Sequence, residues 1–282
     1  MTYRELKQHT IHHLSPEMDK DEAQAIFFIL LEHQLNWKKR DYLMQSELEV
    51  DESIWNWFVI QLKALKQQQP IQYVLGETTF FGHRFEVNPS VLIPRPETEE
   101  LVDWVLQNTA NTNSLRIADL GCGSGCIGLS LAKALPLSQV ELWDVSTAAL
   151  ATAQKNADLL QVKVQCKHVD LLLEQKADIK FDVIVSNPPY VRMTEKASMQ
   201  ANVLDFEPHL ALFVTNEDPL IFYRKIAILA MESLVHQGQL FFEINQYLGP
   251  ETSQLMAEIG FEMVELRKDI FGNNRMIRAV KP

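Results

Sequence analysis

The chain has 282 residues, 46% of them hydrophobic, and a formal net charge of −11. That length and apolar content suit two domains with real cores, and no apolar stretch is long enough to span a bilayer. The acidic balance speaks against a protein that tracks nucleic acid, because such binding draws on a basic face that neutralises phosphate; the one dense basic run, Lys38-Lys39-Arg40, reads as a solvated helix end.

In chain order, Met1 to Lys7 carries no signal-peptide core, and the three cysteines are an odd number, so a reducing, cytoplasmic setting is expected. Residues 1–70 read as a small helical domain. Ser15-Pro16-Glu17 looks like an N-cap with proline at the first helical position, followed by Ala23, Ile26, Phe27, Leu30 and Leu31 at helical spacing. A later helix is expected from about Asp51 through Trp55, Phe58, Leu62 and Leu65, stopped by Pro70. Residues 71–93 read as a β-hairpin linker, with short strands at Gln72 to Gly76 and Thr79 to Val87 and a turn at Gly82-His83. From residue 94 to 282 strands alternate with helical stretches, at 115–120, 139–144, 162–167, 181–186, 239–244, 262–267 and 275–280. This pattern predicts an α/β domain with a mostly parallel sheet covered on both faces; the last pair, joined without a helix, should add an antiparallel strand.

Two motifs sit at strand ends. Leu115 to Leu120 runs into Gly121-Cys122-Gly123-Ser124-Gly125 and then a helical stretch, which is the opening of a nucleotide-binding α/β unit. Asp144 closes the next strand at roughly the twenty-residue offset at which an acid binds ribose hydroxyls. Gly123, Gly125 and Gly128 also spell the dinucleotide fingerprint, so a nicotinamide enzyme has to be weighed. Asp119, two residues before the first glycine, would oppose a pyrophosphate and suits the ammonium of an amino-acid cofactor, which favours S-adenosylmethionine. Cys122 and Cys126 are spaced C-x-x-x-C, an uncommon zinc pattern, and read as small space-fillers; no metal is expected.

The second motif is Asn187-Pro188-Pro189-Tyr190, which ends the β-branched strand Phe181 to Ser186. Two prolines make a stiff turn without N–H donors. The Asn187 side-chain oxygen and the Pro188 carbonyl suit the two N–H groups of a planar amide or aromatic amine, leaving the nitrogen's remaining lobe for an electrophile, and Tyr190 would stack on the flat group. Taken alone, the run is equally a strand-to-loop turn.

Together, Asp119 to Gly125, Asp144 and Asn187 to Tyr190, with Val91-Leu92-Ile93-Pro94-Arg95-Pro96-Glu97-Thr98-Glu99-Glu100-Leu101-Val102 ahead of them, resemble the protein-glutamine N5-methyltransferases (PrmC/HemK) that modify peptide chain release factors. Phe206-Glu207-Pro208, Phe242-Glu243-Ile244, Gly260-Phe261, Asp269 and Arg275 also fall where that family has their like. The resemblance implies a seven-stranded Rossmann-like, S-adenosylmethionine-dependent methyltransferase domain behind a helical substrate-docking domain. It implies methyl transfer to the glutamine N5 of the Gly-Gly-Gln loop of class-1 release factors, with S-adenosylhomocysteine as product, by a cytoplasmic, monomeric enzyme without nucleic-acid or membrane partners. The carried-over roles are cofactor binding by Asp119, Gly121, Cys122, Gly123, Ser124, Gly125, Asp144, Asp170, Leu171 and Asn187, and target binding by Asn187, Pro188, Pro189 and Tyr190. The catalytic set is Asn187, Pro188 and Tyr190. Asp170 resembles the acid near the adenine, with a plain helix cap as the bland reading; Leu171 stands where many relatives are aromatic, which implies apolar packing of the base. Arg95 and Glu97 fit the active-site segment or a structural salt bridge equally well. Adenine-N6 methyltransferases share the Asn-Pro-Pro-Tyr solution and remain the alternative, although they must also flip a base. A non-catalytic Rossmann-like binding module is the third reading.

Overall fold

The computed structural model describes residues 1–109, 114–173 and 177–282, in two compact units. The first comprises Met1–Gly76 and Gln200–Phe206. Its helices are α1 (Tyr3–Leu14), α2 (Lys20–Leu35), α3 (Lys39–Gln45), α4 (Glu52–Lys66) and α5 (Ile71–Leu75), with the later α9 (Ala201–Phe206). Leu6, Leu14, Phe27, Leu30, Leu31 and Phe58 are fully buried at its centre, and Trp55 and Trp57 pack partly buried against them.

Two local expectations in this unit differ from the structure. Ser15 does not start α2: it ends α1, where its hydroxyl donates to the Ile11 carbonyl at 2.6 Å. Asp19 is the true cap, because one carboxylate oxygen accepts both the Asp21 and Glu22 N–H groups, at 2.9 and 2.8 Å. Gln72 to Leu75 is helical instead of a strand: α4 ends at Lys66, ahead of Pro70, where Gln68 turns the chain at φ 62°, and Pro70 caps α5, its carbonyl accepting the Tyr73 and Val74 N–H groups at 3.0 Å, until Gly76 closes the helix at φ 74°.

The second unit, Glu77–Met199 with Glu207–Pro282, opens on a hairpin of β1 (Glu77–Phe80) and β2 (His83–Glu86). Its turn lies one residue earlier than expected, on Phe81 and Gly82, whose φ angles of 48° and 73° are the paired positive values that match the twist of a two-residue hairpin. There follow α6 (Pro96–Thr109), β3 (Arg116–Leu120), α7 (Cys126–Ala134), β4 (Gln139–Asp144), α8 (Thr147–Leu160), β5 (Val164–His168) and β6 (Phe181–Ser186). Beyond them come β7 (Val191–Arg192), a 3-10 turn (Met193–Ser198), α10 (His209–Leu212), β8 (Phe213–Val214), α11 (Ile221–Ser233), β9 (Leu234–Glu243), α12 (Gly249–Ile259), β10 (Glu262–Lys268) and β11 (Asn274–Val280).

Seven strands form one sheet in the order β10-β11-β9-β6-β3-β4-β5. β9, β6, β3, β4 and β5 pair in parallel, and β11 lies antiparallel between β9 and β10. Alternate residues serve opposite faces: Ile117, Val183, Val185 and Phe241 pack with α6, α7 and α8, while Ala118, Ile184, Leu240 and Phe242 pack with α11 and α12. β9 begins five residues before the expected strand, since Leu234 already pairs with Phe181 ahead of a register shift near Gln237 (φ 62°) and Gly238.

Candidate active site

The site is assembled where the parallel strands end, the usual crevice of such sheets. After β3 the chain turns through Gly121, Gly123 and Gly125 at φ 72°, 54° and 79°, angles that a side chain would strain. The Gly121 and Cys122 N–H groups both donate to the Trp143 carbonyl, at 2.8 and 3.0 Å, so the loop is tied to the end of β4. Gly128, in the first turn of α7, lets helix and sheet approach: an added Cβ would meet Leu142 Cδ2 at 2.4 Å and Asp119 Cβ at 3.0 Å. Asn156 of α8 steadies the loop from outside. Its Nδ2 donates to the Ser124 and Glu86 carbonyls, each at 2.9 Å, and its Oδ1 accepts the Glu86 N–H at 2.6 Å, joining hairpin and glycine loop.

Asp119, wholly buried, accepts the Gly128 N–H on Oδ2 at 2.9 Å, while Oδ1 has no hydrogen-bond partner among the described residues. Burial pushes its carboxyl up to about 7; the Gly128 bond opposes that rise and the charge of Asp144 adds to it. Asp144 accepts from the Gly123 and Ser146 N–H groups at 2.9 and 2.8 Å, and burial raises it above the usual carboxylate range against those bonds. Cys122 and Cys126 lie in the buried cluster, where loss of solvent raises both thiols, Cys126 to about 12.

β6 delivers the second motif. Its fully buried Ser186 donates to the Leu120 carbonyl at 2.5 Å, locking the ends of β6 and β3 together just before Asn187. In the parallel register Ser186 stands beside Phe242, which sets Asn187 next to Glu243 at the end of β9. Asn187 Nδ2 donates to Thr98 Oγ1 at 3.4 Å, Thr98 donates to Glu243 Oε2 at 2.6 Å, and the Tyr190 hydroxyl donates to Glu243 Oε1 at 3.0 Å. Burial raises both Glu243 and Tyr190, and the hydrogen bonds from Thr98 and Tyr190 pull Glu243 back. Asn245 holds the next step, donating to the Tyr190 carbonyl and to Glu195, each at 3.0 Å.

Gly121, Cys122, Gly123, Ser124, Asp144, Asp170, Leu171, Asn187, Pro188 and Pro189 all line one cleft of about 350 Å³. Three expected site residues do not line it. Asp119 lies beneath the loop, Gly125 is the N-cap of α7 against Leu129 and Ala153, and the Tyr190 ring packs against the core below α11. Asp170 also ties its own turn, accepting the Leu172 N–H at 2.9 Å. Arg95 lines the cleft and forms an ion pair with buried Glu207 at 2.5 Å, and Glu207 also accepts the Ile93 N–H at 3.3 Å. Thr98 and Glu243 fall within the family-like stretches of the sequence, but the sequence assigned neither of them a role. The available signal was an acid closing an otherwise apolar strand at the same edge as Asn187. A hollow of about 720 Å³ at the opposite strand ends, lined by Arg116, Gln139, Val164 and Phe181, holds none of the expected residues.

Residues 5–76 match the model of the PrmC N-terminal domain, and residues 100–206 that of the Methyltransferase small domain. The release factor glutamine methyltransferase of Flavobacterium psychrophilum is 48% identical over 285 aligned residues, 99% of each chain. The chain belongs to the release factor glutamine methyltransferase family. A further member, from Streptococcus pneumoniae, is 37% identical over 91% of both chains. Among solved structures, a methyltransferase from Pyrococcus furiosus aligns with a TM-score of 0.51 at 16% identity, over 71% of this chain and 90% of its own; it supports the methyltransferase fold. As a family member the chain is an enzyme of the S-adenosylmethionine-dependent class. No helix among the described residues is long and apolar enough to cross a membrane.

Proposed function

We propose that this enzyme transfers the methyl group of S-adenosylmethionine to the side-chain N5 of the glutamine in the Gly-Gly-Gln loop of class-1 peptide chain release factors, releasing S-adenosylhomocysteine. The observation that carries the proposal is that the glycine loop, Asp144 and the Asn187-Pro188 turn line a single cleft. The residues fit the donor. Asp119 Oδ1, buried and without a partner among the described residues, suits an ammonium; the positive-φ glycines present backbone where no side chain intrudes; Asp144 suits ribose hydroxyls; and Asp170 with Leu171 offers a polar edge and an apolar face for the base. When bound, S-adenosylmethionine supplies an electrophilic methyl on a sulfonium centre.

The chain's own work is positional and electrostatic. Asn187 Oδ1 and the Pro188 carbonyl accept the two hydrogens of the target amide and fix its plane, and Tyr190 supports the turn that presents them. Both acceptors stabilise the positive charge that grows on nitrogen, so the amide proton becomes acidic and is lost without a strong base. The first unit is assigned to docking the protein substrate, and the enzyme acts as a monomer in the cytoplasm.

The test is mass spectrometry of a class-1 release factor incubated with the enzyme and S-adenosylmethionine, with duplex DNA and Asn187→Ala as parallel arms. One added methyl on the Gly-Gly-Gln glutamine, lost in the variant, is the expected result. Transfer to DNA and none to the release factor would overturn the substrate.

A further inference from the structure

We propose that Glu243 is a positioning residue that acts through Thr98 to decide which end of the Asn187 amide faces the target, and that the same carboxylate anchors Tyr190. This rests on the proposed function for its chemistry, but on geometry alone for its structure. The hydroxyl of Thr98 has one proton, and it is committed to Glu243 Oε2 at 2.6 Å. Toward Asn187 the hydroxyl oxygen therefore offers only lone pairs, so it accepts from Nδ2, at 3.4 Å, and rejects Oδ1. With Nδ2 turned to Thr98, Oδ1 is left on the other side of the amide to act as acceptor for the substrate.

Without Glu243 the Thr98 proton is free to turn to Asn187 Oδ1, and the amide loses its preference. A flipped amide would set a donor against the N–H of the target glutamine, a repulsive contact in place of an attractive one. Both Thr98 and Glu243 are 1% exposed, so water does not compete for these bonds. Glu243 Oε1 takes the Tyr190 hydroxyl at 3.0 Å, so one carboxylate holds both ends of the Asn187 to Tyr190 turn. The three groups come from the first turn of α6, the end of β9 and the exit of β6, and they meet because Ser186 and Phe242 are in register.

The experiment combines Thr98→Val, Thr98→Ser and Asn187→Ala with their doubles. Thr98→Val keeps the shape and removes the hydroxyl; kcat should fall about tenfold or more while cofactor affinity stays within about twofold. Thr98→Ser, which keeps the hydroxyl, should retain most of kcat. In the Asn187→Ala background Thr98→Val should cause no further loss, since its effect passes through Asn187. Independently of turnover, the side-chain NH₂ resonances of ¹⁵N-asparagine-labelled enzyme, assigned to Asn187 by their absence in Asn187→Ala, should shift in Thr98→Val and stay in place in Thr98→Ser. An unchanged kcat in Thr98→Val, an equal loss in both backgrounds, or unmoved Asn187 resonances would each overturn the assignment. If the wild-type enzyme leaves the release factor unmethylated, the proposed function falls, and the resonances alone then decide for or against the clamp.

Discussion

Asp119→Asn is the substitution that separates folding from cofactor binding most cleanly. In the folded chain burial lifts the Asp119 carboxyl from 3.8 to about 7. A shift of about three units corresponds to roughly 4 kcal/mol between protonation states, an upper bound on what its ionised form costs the fold. Asparagine removes the charge and keeps the acceptor for Gly128, but it places an N–H₂ where Oδ1 had no partner, which takes back about 1–3 kcal/mol. The net expectation above about pH 7 is a variant more stable than wild type by ~1–3 kcal/mol. The sign follows from linkage: between the unfolded value of 3.8 and the folded value of about 7, the native wild type holds a proton that the unfolded chain has released. Wild-type stability from this group therefore falls as pH rises through that window, and the variant lacks the fall. Urea unfolding of the two proteins across the window should show their difference growing and then levelling off above about 7. Cofactor binding by calorimetry should go the other way, weaker in the variant by about 10–100-fold through loss of a charged hydrogen bond. A stability difference that is flat with pH, together with unaltered affinity, would refute the role given to Asp119.

Asn187→Ala removes an oriented acceptor and should reduce kcat by an amount equivalent to about 2–4 kcal/mol with little change in Tm; single-turnover methylation reads it, and a loss below ~1 kcal/mol would remove Asn187 from the reaction. Gly128→Ala drives a methyl group against Leu142 Cδ2 and Asp119, and should destabilise the fold by about 1–3 kcal/mol in urea titration; a neutral result would mean that α7 moves away from the sheet freely. Leu171→Ala opens the apolar wall of the cleft and should weaken cofactor binding by about 1–2 kcal/mol, leaving kcat nearly intact at saturating cofactor. The reverse pattern in kinetics, a lower kcat at unchanged affinity, would place Leu171 on the target side.

The sheet was legible because its strands alternate with helices and are buried on both faces, so each is marked by a short apolar run between breakers. The glycine loop and the Asn187 to Tyr190 turn were legible because each places uncommon residues in a fixed order at a strand end. What the sequence hid are effects of pairing across distance. Nothing near Thr98 or Glu243 in the chain says that they share a proton bond with each other and a neighbour in Asn187; that follows from strand register and the entry of α6. Competition between local signals also misled. Ser15-Pro16 and Asp19 are both valid helix starts, and the cap that accepts two N–H groups prevailed. Tyr73-Val74-Leu75 has strand composition, yet Pro70 and Gly76 bracket it as one helical turn.

β11 sits between β9 and β10, although it is synthesised after both. While the chain emerges, β10 therefore has no sheet neighbour of its own, and the flank of β9 carrying Phe241, Phe242 and Glu243 stays open until Met276, Ile277 and Ala279 arrive. A nascent chain halted before Asn274 would lack two strands of the sheet at once, and Glu243 would lose the ladder pairing with Met276 that holds the end of β9. Assembly of the active site is thus coupled to synthesis of this late segment, and a partly made chain offers chaperones and proteases an exposed apolar strand in place of a slow enzyme.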